Sequence, residues 1–330
     1  MKRTLQLAAA LAISAVCVWV SMKEVDLRAV AAALRNANYA GFAGVCAITI
    51  FAFWVRAIRW RFLLRTDRRI GTASLFSATM IGFMANNVLP FRLGEFVRPW
   101  ALARRERLSK SMLLATIVVE RAVDMLTLLA IFGIALLVAP IAENTPAGRL
   151  VQGGARILLV LSAVLTVFVV TAERNRAFAH ALIRLMPARF RDRAARLLER
   201  FLDGFSLFRD LGRLLQVFVL SFGMFLSFSV ALWITAWSLG ISVPWYSGLV
   251  MLVVTAIGIM VPAAPGYVGT LNVACTAGLA LYGVDKTPAS AFGWFYFFSQ
   301  WLPITAVGLW FLNREGLSLK NLGEAQDDPA

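Results

Sequence analysis

The stretch VVERAVDML places Glu120, Arg121 and Asp124 inside a long apolar segment. Glu120 and Asp124 are four residues apart and share one helix face, with Arg121 on the adjoining face, three residues from Asp124. Each such charge costs roughly 2.5–3.5 kcal/mol at the centre of a membrane span on insertion scales. Partners are therefore required. Two roles fit: a buried ion-pair network tying this segment to its neighbours through Arg92 or Arg98, or direct handling of a substrate or proton.

A second constellation is NNVLPFRLGEFVRPWAL, from Asn86 to Leu102. Pro90 ends a helix by removing a donor, Gly94 permits a tight turn, and a helix starting near Glu95 presents free N–H groups and a positive dipole end. Arg92 and Arg98 make this a candidate site for a phosphate or other anion, and Glu95 balances the charge or pairs with a cationic headgroup. The alternative is that both arginines are boundary residues snorkelling to water. That leaves Asn86, Asn87 and Glu95 unexplained. The third constellation, VPAAPGYVG, brings Pro262, Pro265 and Gly266 into an apolar stretch. It is either a broken backbone exposing carbonyls and N–H groups to a cavity or a kinked packing element, and nothing ionisable sits at its tip. The aromatic run Trp294, Phe295, Tyr296, Phe297, Phe298 and Trp301 reads as a lipid-facing or interfacial belt.

Enzyme signatures find no support. His180 is the single histidine and lacks a metal-ligand partner, and no G-x-S-x-G, H-E-x-x-H or P-loop occurs. Cys17, Cys46 and Cys275 lie in apolar segments without C-x-x-C spacing and read as packing residues. No metal or cofactor is expected.

The elements that position these residues follow from composition. In 330 residues, 60% are apolar and 15% charged, with a mean hydropathy of +0.74. This is the composition of a membrane protein. Full spans are expected over Thr4–Ser21, Tyr39–Phe62, Met112–Pro140, Ala155–Thr171, Leu214–Gly240 and Ala289–Leu312, the first being retained rather than cleaved as a signal. The net charge of +15 is mostly arginine in short loops, which fits the positive-inside rule and not nucleic-acid binding. Arg56–Arg69, Arg92–Lys110 and Glu173–Arg213 are strongly basic and are expected in the cytoplasm. The loops Met22–Asn38, Ile141–Gly153, Ile241–Ser247 and Asp285–Pro288 are near neutral and are expected outside. Both termini then face the cytoplasm.

Under that orientation Thr72–Leu89 enters from inside and returns, and Gly248–Tyr282 enters from outside and returns. Val88-Leu-Pro-x-x-x-Gly94 matches Met260-Val-Pro-x-x-x-Gly266 at the two tips. The expected fold is an all-α polytopic membrane protein with about six full spans and two oppositely oriented re-entrant helical hairpins in an inverted repeat, an architecture of transporters. It forms one membrane domain over 1–330, with repeat units near 39–140 and 214–312, a basic segment at 173–213 and an acidic tail at 323–330. Glu24–Asn38 is a candidate amphipathic helix on the outer face. Glu173–Arg213 suits either an interfacial helix on anionic headgroups or a solvated loop.

NNVLPFRLGEFVRPWAL, then ERAVD, then PAAPGYVG resemble, in order and spacing, the signatures of the flippase-like family named for the transmembrane region of lysylphosphatidylglycerol synthetase. The resemblance implies a polytopic bacterial inner-membrane protein that translocates a phospholipid or polyprenyl-phosphate-type lipid, here without the synthetase domain and with a separate synthetase or glycosyltransferase as a partner. Family members place Glu after the second Pro-Gly and Arg in the last span, where this chain has Asn272 and Tyr296, as if an ion pair were replaced by neutral partners. Lipid translocation is the expected function. The alternatives are a membrane transferase using a lipid-linked donor, with Glu95, Glu120 or Asp124 as its acid, and a non-transporting accessory subunit of envelope lipid synthesis.

Overall fold

The computed structural model describes residues 12, 14–64, 66, 68–89, 93–138, 153, 160, 211–260 and 265–318. The expected span Ala155–Thr171, the basic segment, the acidic tail, Arg92 and Pro262 lie outside them or nearly so, and only residues 14–22 of the first expected span are among them, as helix. No strand occurs among the described residues.

A short helix, α1 (Leu27–Arg35), is started by Asp26, whose carboxylate accepts from the amides of Arg28 at 2.8 Å and Ala29 at 3.2 Å. Only Val30 of this helix is buried, as suits an element lying on a surface. Four long apolar helices follow in two places: α2 (Tyr39–Leu63) and α5 (Lys110–Val138), then α6 (Leu211–Ser238) and α9 (Lys286–Arg314). At 25 to 29 residues each exceeds the roughly 20 needed to cross a hydrocarbon core. Between the members of each pair lie two shorter helices. These are α3 (Thr72–Val88) with α4 (Gly94–Glu106), and α7 (Ser247–Gly258) with α8 (Thr270–Ala280). The stretch Gly248–Tyr282, expected as one element, is thus two helices joined through a single 3-10 turn at Pro265–Tyr267.

Each short pair folds back on itself, and glycine makes the approach possible. A Cβ on Gly94 would fall 1.9 Å from the carbonyl oxygen of Gly82, so the two backbones touch there. Gly94 is required by this contact, whereas the sequence had suggested a tight turn. Gly258 meets Ala274 in the same manner. Across the two sets, α2 runs antiparallel to α6: Gly41 abuts Ser238 while Arg59 reaches Ser221. Helix α3 runs antiparallel to α9, with Asn87 bonded to Thr305, Met84 packed on Gly308 and Ser77 donating to Glu315. Two large apolar clusters result, one centred on α7 and α8, the other on α3 and α4.

The starts of α3, α4 and α5 at Thr72, Gly94 and Lys110 recur at Ser247, Thr270 and Lys286, 175 or 176 residues later. The order long, short, short, long is therefore written twice.

Candidate functional site

The charges of α5 meet arginines from two other helices. Glu120 is fully buried and accepts through Oε1 from Arg56 at 2.7 Å, with Arg59 at 3.0 Å from the same oxygen, while its Oε2 accepts from Arg98 at 2.8 Å. Arg59, also fully buried, donates to Asp124 and to the Ser221 hydroxyl, the latter at 2.6 Å. The Arg98 guanidinium lies 3.9 Å from the Trp60 ring centroid. The apolar surroundings dictate this clustering, because a charge taken from water without partners is unaffordable. Arg121 stands at the edge, with its side chain 36% exposed and 3.8 Å from Asp124. Four guanidiniums thus face two carboxylates, and Glu95, close enough to act on Arg121, is the third.

Beside the cluster lies a cavity of about 350 Å³. Arg56, Asn86, Asn87, Glu95, Arg121 and Asp124 line it from α2 to α5. Phe225, Phe228, Tyr296, Phe297 and Trp301 line it from α6 and α9. All its charged lining residues come from the first helix set. Several of its polar atoms make no hydrogen bond: Arg56 Nε, Arg121 Nε, Asp124 Oδ2 and Asn86 Oδ1 are buried in this state.

The lining repeats itself. Phe53, Arg56, Phe83, Asn87 and Glu95 recur 172 residues later, the step that superposes Pro90 on Pro262, as Phe225, Phe228, Thr255, Ile259 and Tyr267. Arg121, Asp124, Met125 and Leu128 recur 176 residues later, the step between the starts of α5 and α9, as Phe297, Gln300, Trp301 and Ile304. Every one of these residues faces the same cavity.

Among the residues singled out from sequence, the structure brings Asn86, Asn87, Glu95, Arg121, Asp124 and Gly266 to the cavity. Arg98 and Glu120 do not line it; they form the ionic hub behind it. The description stops short of Arg92 and Pro262, and Pro265 opens the 3-10 turn. Gly266 adopts φ of 72°, a left-handed conformation glycine takes without strain, and sits on Trp301 and the Asn87 carbonyl. Asn272 is buried against Gly293, outside the cavity, and neither polar atom of its side chain is hydrogen bonded. Sequence reasoning passed over Arg56 and Arg59, which it had counted with the cytoplasmic arginines. It also took Tyr296, Phe297 and Trp301 for a belt, whereas they form a cavity wall.

Residues 7–308 match the family described as the lysylphosphatidylglycerol synthase TM region. The chain belongs to this family. No curated protein and no solved structure matches it. Its membership covers both helix sets, so the TM region and the cavity between the two sets coincide. No group of three or more His, Cys, Asp or Glu that could hold a metal ion occurs among the described residues.

Proposed function

We propose that this member of the lysylphosphatidylglycerol synthase TM-region family translocates a lipid with an anionic headgroup, a phospholipid or a polyprenyl-phosphate-type lipid, across the bacterial inner membrane. The cavity supports this reading most directly: its walls are equivalent in position but opposite in polarity. Arg56 and Arg121 stand where the other set has Phe228 and Phe297. An amphipathic ligand fits such a site, with its charged end on the first set and its apolar end along the aromatic wall. The surplus of guanidinium over carboxylate selects a negative headgroup, and the unbonded Nε atoms of Arg56 and Arg121 are donors for phosphate oxygens.

The two sets act as an inverted repeat in this proposal, the short pairs being re-entrant hairpins entering from opposite faces. The antiparallel pairing of α2 with α6 and the recurrence of the lining support it. Both termini face the cytoplasm, as the basic loops direct, and a separate synthetase or glycosyltransferase supplies or consumes the lipid. The full chain reconstituted in phosphatidylcholine vesicles, with tail-labelled fluorescent phosphatidylglycerol as probe and dithionite as the outer-leaflet quencher, tests the proposal. Translocation lets quenching pass beyond the outer-leaflet half; a plateau at that half, equal to protein-free vesicles, refutes it.

A further inference from the structure

Tyr267 is the residue at the second tip that the search for charged side chains passes over. It lines the cavity, half-buried, and its position is the counterpart of Glu95 under the step that superposes Pro90 on Pro262. Its φ is 61°, directly after Gly266 at 72°. A bulky non-glycine residue in the left-handed region is strained by about 1–3 kcal/mol and persists where its surroundings hold it there. The tip is held: Gly266 rests on the Trp301 ring and the Asn87 backbone, so the two short helix pairs meet at this point. The result is a phenol from the otherwise apolar set carried to the charged wall of the first, near enough to Arg121 for the two to interact electrostatically.

We propose that Tyr267 reads the headgroup, its phenol O–H donating to the phosphate oxygens that Arg56 and Arg121 hold. The assignment rests on the lipid-transport proposal. It explains why this position carries a strained tyrosine beside two glycines, Gly266 and Gly269, that take positive φ without penalty. It also gives the apolar set its own polar contact with the ligand. A headgroup anchored from both tips is sensed by both sets at once, which a transporter needs if binding is to bias how they sit together.

The test uses the purified full chain and two tail-labelled fluorescent probes, phosphatidylglycerol and uncharged diacylglycerol. Tyr267→Phe keeps the ring, its packing and its backbone. The expected result is an unchanged melting temperature, binding of phosphatidylglycerol weakened roughly ten- to a hundredfold as for loss of a hydrogen bond to a charged group, and diacylglycerol binding unchanged. Tyr282→Phe removes a phenol O–H that lies outside the cavity and is expected to alter neither affinity. Equal phosphatidylglycerol binding by wild type and Tyr267→Phe overturns the assignment alone, as does an equal loss for both probes or an equal loss in Tyr282→Phe. A wild-type chain that does not prefer phosphatidylglycerol to diacylglycerol removes the transport proposal, and this assignment with it.

Discussion

Glu120→Gln is the sharpest perturbation of the ionic hub. The carboxylate is fully buried and has three guanidinium nitrogens within 3.0 Å, from Arg56, Arg59 and Arg98. At an effective dielectric near 20, each such contact contributes about 4 kcal/mol of gross attraction at a charge separation of about 4 Å. Desolvation offsets most of this. What remains is the penalty for stripping a buried charge of its partner, about 3–5 kcal/mol. Because three cations lose one anion, and the amide nitrogen of Gln presents a donor to donors, the expected loss is near 5 kcal/mol. Stability against denaturant in detergent micelles measures it. Adding Arg98→Met to Glu120→Gln removes one of the stranded cations, so the double variant should be more stable than the single by about 1–3 kcal/mol. A single variant within about 1 kcal/mol of wild type, or a double variant less stable than the single, refutes the hub.

Three further outcomes are expected. Gly94→Ala drives a methyl into the Gly82 carbonyl and should cost about 3 kcal/mol or more, whereas Gly44→Ala, with nothing within 4 Å of the added methyl, should be neutral or stabilise by about 0.5–1 kcal/mol; thermal melts of the two compare them. Arg98→Lys loses the planar stack on Trp60 and should lower stability by about 1–2 kcal/mol without changing which headgroup is bound, while Arg121→Gln, with a half-exposed side chain lining the cavity, should barely alter the melt yet weaken phosphatidylglycerol binding at least tenfold. In a cysteine-free background, Glu24→Cys should react with an impermeant maleimide added outside intact cells and Arg68→Cys should not; the reverse pattern would invert the proposed orientation.

The helices were legible because the bilayer permits few alternatives. Apolar runs broken by Pro and Gly placed α2, α5, α6 and α9 within a few residues of their observed ends. Glu120 and Asp124 were legible as a pair in need of partners because their burial is costly, and Arg98 was among the partners considered. Arg56 and Arg59 were not, although both fell inside the expected span Tyr39–Phe62. Counting charge by neighbourhood assigned them to the basic run that follows, when their spacing of three on one helix complements carboxylates four apart on another. The aromatic wall was missed for a different reason. A lipid-facing belt and a cavity wall have the same composition, and only packing separates Phe298, which is exposed, from Tyr296 and Phe297. The glycine of the first tip was noticed for its freedom of φ, yet what it provides is room, which no single segment reveals because the neighbour is eleven residues upstream of Gly94 on the partner helix, around Asn86 and Gly82.

The repeated lining supplies an internal control on what the charges are for. A buried ion network is rarely the most stable way to fill a core, since apolar residues of similar volume often do as well or better. Here the same chain displays that alternative. At the positions equivalent to Arg56 and Arg121, the second set carries Phe228 and Phe297, and at the position of Asp124 it carries the uncharged Gln300. The helix arrangement is therefore compatible with either kind of side chain, and the scaffold does not demand the charges. Four arginines and three carboxylates concentrated on one side of a shared cavity, at a cost the other side avoids, point to a ligand whose own polarity is divided in the same way.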